Sequence, residues 1–378
     1  MNKKIILIIA VIIVVGAIGY LEITKPKSPQ LNSSKAESIA VKPNSNDKSN
    51  LNTSPEPIKQ VRIMSLQEKA KKYSPAIEII PGGQFINSPP FTLKSLIGKK
   101  VILVDFWTYT CINCQRTTPY LNAWYAKYKD QGFVIVGVHS PEFEFEKDYN
   151  NVLKAVQDME IKYPVVQDNN YATWRAYGNR FWPREYLIDI DGFIIHDKIG
   201  EGGYDETEKV IQDALKERFS VLGLKDLVDK NITNPKNAIT MDSSKIQSPE
   251  TYFGFLRNEY FGNGQRNTSG DQTLLFPNST SLNTLYLDGI WNFQSEFSES
   301  KSTAAKIKFI YNAKNVYFVA SSDKGAIIKI SQDGALVKTM TIKDYKLYNL
   351  IEGMDYGQHT LDIEVDNPGL KAFTFTFG

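Results

Sequence analysis

The two cysteines of the 378-residue chain, Cys111 and Cys114, lie in the string WTYTCINCQ, directly after the apolar run Val101 to Phe106. Two thiols at this spacing can cycle between dithiol and disulfide. A disulfide between them closes so short a ring that it restrains the unfolded chain little, so the pair reads as a reactive couple. The competing chemistry is zinc, since a C-x-x-C supplies half of a tetrahedral thiolate site. No second C-x-x-C exists, and His139, His196 and His359 lack the short paired spacing of a finger or ribbon. Neither a metal nor any cofactor beyond the couple itself is expected.

The elements on either side must place the two thiols differently. Residues 115–128 continue as a helix after the cysteines, with Pro119 set to kink it. Cys111 then sits at the amino end of that helix, where unpaired N–H groups and the helix dipole favour a thiolate, so it is the expected nucleophile. Cys114, one turn on and facing the body of the domain, would resolve a mixed disulfide by attacking the Cys111 sulfur. It needs a proton acceptor, and the candidate is Asp105, an acid inside the apolar strand VILVDFW. Buried there, its carboxyl would have a raised pKa and could exchange protons with Cys114. Position alone is equally compatible with a strand-end aspartate that only hydrogen-bonds backbone or solvent. His139 is read as structural. Glu142, Glu144 and Glu146 alternate with Phe143 and Phe145 and read as a half-exposed segment.

From about residue 66 to 218, apolar strands alternate with amphipathic helices, the pattern of an α/β sheet. Strands are expected at 101–106, 133–140, 164–167, 185–190 and 193–199, with Asp191-Gly192 as the hairpin turn between the last two.

The string VILVDFWTYTCINCQRTTP resembles the active-site segment of thioredoxins, with Asp105, Trp107, Cys111, Cys114 and Pro119 at matching offsets. That resemblance implies a thioredoxin-like fold with a cis-proline opposite the cysteines, and Pro183 in NRFWPREYLID has the matching context. It also implies that the backbone of Trp182 pairs with an extended segment of a target protein, with Trp107 and Trp182 framing an apolar groove. For Trp107, ordinary core packing is the competing reading. Further strings, PYLNAWY, GVHSPEFEFE and GEGGYDETE, resemble the soluble portion of DipZ-type proteins, within the wider group of extracytoplasmic TlpA-like reductases. SPETY and the final AFTFTFG extend that likeness to the carboxyl end. DipZ-type proteins commonly carry a multi-span CcdA-like membrane domain ahead of this portion. A single apolar segment stands there instead, so the resemblance implies a separate CcdA-like membrane electron donor.

After a connector at 225–248, short alternating stretches predict an all-β domain over 249–378. Eight strands are expected, at 284–287, 292–297, 305–311, 316–321, 326–331, 335–342, 359–365 and 372–377, forming a jelly-roll-type sandwich with Asp333-Gly334 as a hairpin turn. The resemblance makes this domain similar to carbohydrate-binding modules, so glycan is a possible partner. Its aromatics fall mostly at period two within strands, as in AFTFTF, and should fill a core between sheets.

The amino-terminal residues set the compartment. Lys3 and Lys4 precede an unbroken apolar run from Ile5 to Leu21, which as a helix spans about 25 Å against a roughly 30 Å hydrocarbon core. Residues 1–23 are read as an uncleaved single-pass transmembrane helix, with a cleaved signal peptide as the rival, and positive-inside topology places the rest outside the cell. Residues 24–65, rich in Ser, Asn, Pro and Lys, read as a disordered linker between this anchor and a redox domain at 66–224. With a net charge of +2 and no basic block beyond the amino terminus, nucleic acid is not an expected partner.

These readings converge on a membrane-tethered, extracytoplasmic thiol-disulfide oxidoreductase acting on protein disulfides or thiols, as a reductant by its resemblance. Three alternatives stay open. The first is an oxidase of exported thiols. The second is a thiol peroxidase, although the Pro-to-Cys spacing of that motif falls on Val104. The third is an envelope glycan- or protein-binding protein with a secondary redox domain.

Overall fold

A strand covered on both faces is predominantly apolar, and Val101–Trp107, apolar but for Asp105, is buried along its whole length. It lies centrally in the first of two β-sheets. The computed structural model describes residues 64–239 and 241–378. The anchor and nearly all of the linker expected from the sequence lie outside them.

In chain order the first lobe comprises α1 (Leu66–Lys72), β1 (Phe85–Ile86), α2 (Leu93–Leu96), β2 (Val101–Trp107), α3 (Ile112–Tyr128), β3 (Phe133–His139), α4 (Tyr149–Asp158), β4 (Val165–Gln167), α5 (Ala172–Ala176), β5 (Arg184–Ile188), β6 (Ile194–Ile199) and α6 (Tyr204–Val221). The sheet runs β1-β4-β3-β2-β5-β6. Strands β2, β3 and β4 are parallel, while β1, β5 and β6 join antiparallel. Alternation along β2 divides its side chains between two cores. Leu103 and Trp107 meet α3 and α6 on one face, whereas Ile102, Val104 and Phe106 fill the other. A Ser65/Glu68 capping box starts α1. Its Lys69 is buried against Asp189, Asp191 and Glu217 at 2.6 to 2.8 Å, which ties the helix to the β5–β6 turn.

The second lobe pairs its named strands antiparallel, with two isolated parallel bridges, between Phe261 and Leu285 and between Leu282 and Ile310: β7 (Thr251–Tyr252), β8 (Gly270–Leu274), β9 (Leu285–Phe293), β10 (Ser298–Ser300), β11 (Ala305–Ser321), β12 (Ala326–Gln332), β13 (Ala335–Ile342), β14 (Lys346–Val365) and β15 (Lys371–Phe377). The strand count and path differ from the expected eight-strand sandwich. The stretches 305–311 and 316–321 are one strand of 17 residues, because the irregularity between Ala313 and Asn315 is a bulge against β14 and not a turn. Likewise 359–365 is the end of a 20-residue strand, and β9 replaces the two strands expected at 284–287 and 292–297. Strands β7, β8 and β10 are too short or too polar to announce themselves by alternation. β11 pairs with β9 through 306–309 and with β15 through 316–321, so one ladder network folds over a single core. At the β12–β13 turn, Asp333 and Gly334 have φ of 52° and 81°, the backbone a two-residue hairpin requires.

The lobes meet through an apolar seam. Phe143 of the first lobe packs with Tyr252, Val319 and Phe373 of the second. The rings of Phe143 and Phe145 lie 5.2 and 4.8 Å from that of Phe373. In the connector, Thr233 donates from its amide and its hydroxyl to Glu208 of α6, each at 2.6 Å.

Candidate active site

Helix α3 starts immediately after Cys111, which is its N-cap residue in extended conformation (φ −75°, ψ 116°). Its side chain makes no cap hydrogen bond, and it stands at the end of the helix where the first-turn N–H groups have no intrahelical partner and the dipole is positive. Cys111 is half-buried and Cys114 is buried. Across from them the Trp182–Pro183 peptide is cis, and the Trp182 carbonyl lies 3.9 Å from Cys111 Sγ. The Trp182 indole donates to the Ser140 carbonyl at 3.1 Å and packs on Trp174. Cys111, Cys114, Trp182 and Pro183 are thus brought together. Trp107 is not part of this group: it is 2 % exposed and belongs to the core behind the couple, because its place in a central strand turns the indole inward.

The carboxyl expected to serve Cys114 is buried. Asp105 is 2 % exposed, and its Oδ1 has no hydrogen-bond partner among the described residues. Burial, and then the charge of Glu185, hold its pKa well above the ordinary carboxyl range. The Cys114 thiol is likewise pushed well up, by burial first, then by its hydrogen bond with Cys111 and the charges of Cys111 and Asp105.

Three residues that the sequence reading did not assign complete the surroundings. Glu185 stands opposite Asp105 in the β2–β5 ladder and is 3 % exposed; burial raises its pKa to about 7. Its signal was available, an acid within the strand REYLI, as with Asp105. Glu146 is fully buried, contrary to the half-exposed reading of 142–146. The segment Glu144–Lys147 is a 3-10 turn, so period-two parity does not apply to it. The Glu146 carboxylate accepts from Thr110 (Oγ1 2.5 Å, N 3.3 Å), Glu142 N and Phe143 N, and thereby pins the turn before Cys111. Arg116, one turn into α3, forms a two-pronged ion pair with Glu201 at 2.7 and 2.8 Å. His139 is fully buried beside Trp107 and Tyr109, and burial lowers its pKa to about 3, so it is neutral.

A groove of about 370 Å³ opens at Cys111. Arg180, Phe181 and Trp182 form one wall, and Tyr252, Arg257 and Phe377 of the second lobe form another. The guanidinium of Arg257 lies 2.9 Å from Glu142 and stacks on the Tyr252 ring.

Residues 87–215 match the redoxin family, and residues 248–378 match the family described as thioredoxin-like C-terminal domain. The thiol-disulfide oxidoreductase YkuV of Bacillus subtilis is 31% identical over 126 residues, which is 33% of this chain and 84% of that protein. The chain belongs to the thioredoxin family of thiol-disulfide oxidoreductases. It is also similar to the protein DipZ of Mycobacterium tuberculosis, at 37% identity over 78% of the chain. The chain spans 41% of the length of that protein. The solution structure of a thioredoxin-like protein in its oxidised form aligns with 38% of the chain and 97% of its own length, at 28% identity and a TM-score of 0.36.

Proposed function

We propose that the chain is a membrane-tethered, extracytoplasmic reductant of protein disulfides. One observation carries the chemistry: a half-buried Cys111 at a helix amino end faces the cis Trp182–Pro183 bond, with Cys114 buried one turn behind it. In the reductive direction, the Cys111 thiolate attacks a target disulfide and forms a mixed disulfide, releasing one target sulfur as thiolate. Cys114 gives its proton to Asp105 and attacks Cys111 Sγ. The Cys111–target bond breaks, the second target sulfur leaves, and the couple ends as the Cys111–Cys114 disulfide. Target backbone would be held at Trp182 and Pro183, in the groove that the second lobe helps to wall. The apolar run in residues 1–23 supports the tether, and a separate CcdA-like membrane protein would return electrons to the couple.

The midpoint potential of the couple tests the direction. A value near −270 mV is expected of a reductase, whereas one near −120 mV would make the protein an oxidant of exported thiols. The Cys111→Ser variant should lose disulfide exchange altogether. Exchange that survives it would refute the mechanism, and peroxide consumption that survives Cys114→Ser would favour a peroxidase.

A further inference from the structure

Asp105 of β2 stands directly opposite Glu185 of β5, and Glu185 directly opposite Lys198 of β6. Residues directly opposite in antiparallel ladders share a face, with Cβ atoms about 4.5–5.5 Å apart. The three side chains therefore form a row across the sheet, from the buried couple to the strand at its edge. Asp105 and Glu185 are 2 % and 3 % exposed, whereas Lys198 is half-buried. The neighbouring positions on this face are apolar and buried: Leu103, Trp107 and Leu187. Packing alone would be better served by an apolar residue at 185, since a second buried carboxyl beside the first is costly unless one of them holds a proton.

We propose that Glu185 is a second proton-handling carboxyl of the exchange site: it shares one proton with Asp105 and passes it to solvent at β6, where the Lys198 ammonium favours the ionised carboxylate. The inference rests on the disulfide-exchange reading above and extends it. The proton balance is simple. Cys114 releases one proton as its thiolate attacks Cys111 Sγ. The carboxyl pair, entering with one proton, takes it up and afterwards returns one to solvent. The two electrons pass from the dithiol to the target disulfide, and the departing target thiolate is protonated from water. The titratable groups around the pair are Cys114 from α3, Tyr163 from the loop before β4, Tyr204 from α6, and Lys198 and His196 from β6, the last with its pKa lowered by burial. The charge that acts on Glu185 from β6 is that of Lys198, which favours the ionised carboxylate. The pair titrates as a unit, with macroscopic values that belong to neither acid alone.

Ellman's reagent separates the steps in the reduced full-length protein. A first release of thionitrobenzoate reports attack by Cys111, and a second reports resolution of the mixed disulfide by Cys114. The acid limb of the second phase, measured by stopped flow against pH, reports the base. Removing the like charge in Glu185→Gln should move its midpoint toward acid by about one unit. Lys198→Met removes the favourable cation and should move it toward alkali, while Glu185→Asp should stay near wild type. A merely structural Glu185 would not produce shifts of opposite sign. Midpoints that coincide with wild type in both charge variants would overturn the inference. If Glu185→Gln does not fold, Lys198→Met on the edge strand decides alone. Absence of the first phase in wild type would instead sink the exchange reading itself.

Discussion

Cys114 and Asp105 are both buried, and the charge of Asp105 helps to raise the Cys114 pKa; in the proposed mechanism Asp105 is the base that takes the Cys114 proton. Replacing the base should therefore slow resolution and spare the first attack. Asp105→Asn is expected to lower the second-phase rate by about 10²-fold and to let a mixed disulfide on Cys111 accumulate, detectable by mass spectrometry. Glu185 makes a separate prediction about stability. Its folded-state pKa of about 7 lies above the ordinary 4.5, so the native chain binds more protons than the unfolded chain between those values. The stability that this group contributes is fully present below about pH 4.5 and is lost as pH rises through about 7. Glu185→Gln should weaken that dependence, since one acid of the pair is gone while Asp105 remains, leaving the variant more stable than wild type at pH 8 by up to about 3 kcal/mol and without that advantage at pH 4. Urea titrations at the two pH values measure the difference. Unequal slopes of stability against pH for the two proteins would support it, and parallel slopes would reject it.

The active-site turn is held by one carboxylate. Glu146 collects two donors from Thr110 and the amides of Glu142 and Phe143, and thus couples the turn before Cys111 to the segment that reaches the second lobe. Glu146→Ala would leave buried donors without an acceptor and should cost about 3 kcal/mol or more, read by chemical denaturation. Glu146→Gln keeps one acceptor oxygen and should cost less. The sequence misplaced this residue for a physical reason. Phe143, Phe145 and the glutamates around them alternate as a strand would, but the chain there makes a 3-10 turn, where neighbours do not point to opposite faces. The long strands of the second lobe were broken in the sequence reading for a related reason. A bulge interrupts alternation without ending the ladder, so one strand reads as two.

The two lobes form one body through Phe143, Phe145 and Phe373. Truncating the central ring in Phe143→Ala should cost about 3–5 kcal/mol. It should also split a single calorimetric transition into two as the lobes unfold separately; a single transition in the variant would show that the seam is not what couples them. The groove at Cys111 takes part of its lining from the second lobe, through Tyr252, Arg257 and Phe377. The large aromatics of that lobe, among them Trp291, Phe293, Phe309 and Phe375, lie in its core. Other rings of that lobe, Tyr260, Phe276, Tyr345 and Tyr356 among them, are half-buried at its surface.

The sequence by itself determined the spacing of the two thiols, the α/β character of the first lobe and the all-β character of the second. The last two follow from local rules: an apolar run for a strand covered on both faces, and alternation for half-covered ones. It also singled out Asp105, because an acid within such a run is conspicuous. Only the tertiary structure decided that Trp107 packs behind the couple while Trp182 faces it, since which side of a strand meets the groove depends on what lies across the sheet. Only the ladder register placed Glu185 opposite Asp105, although the two lie far apart in the chain. Cross-strand pairing is set by how whole strands align, and that information is carried by no single segment.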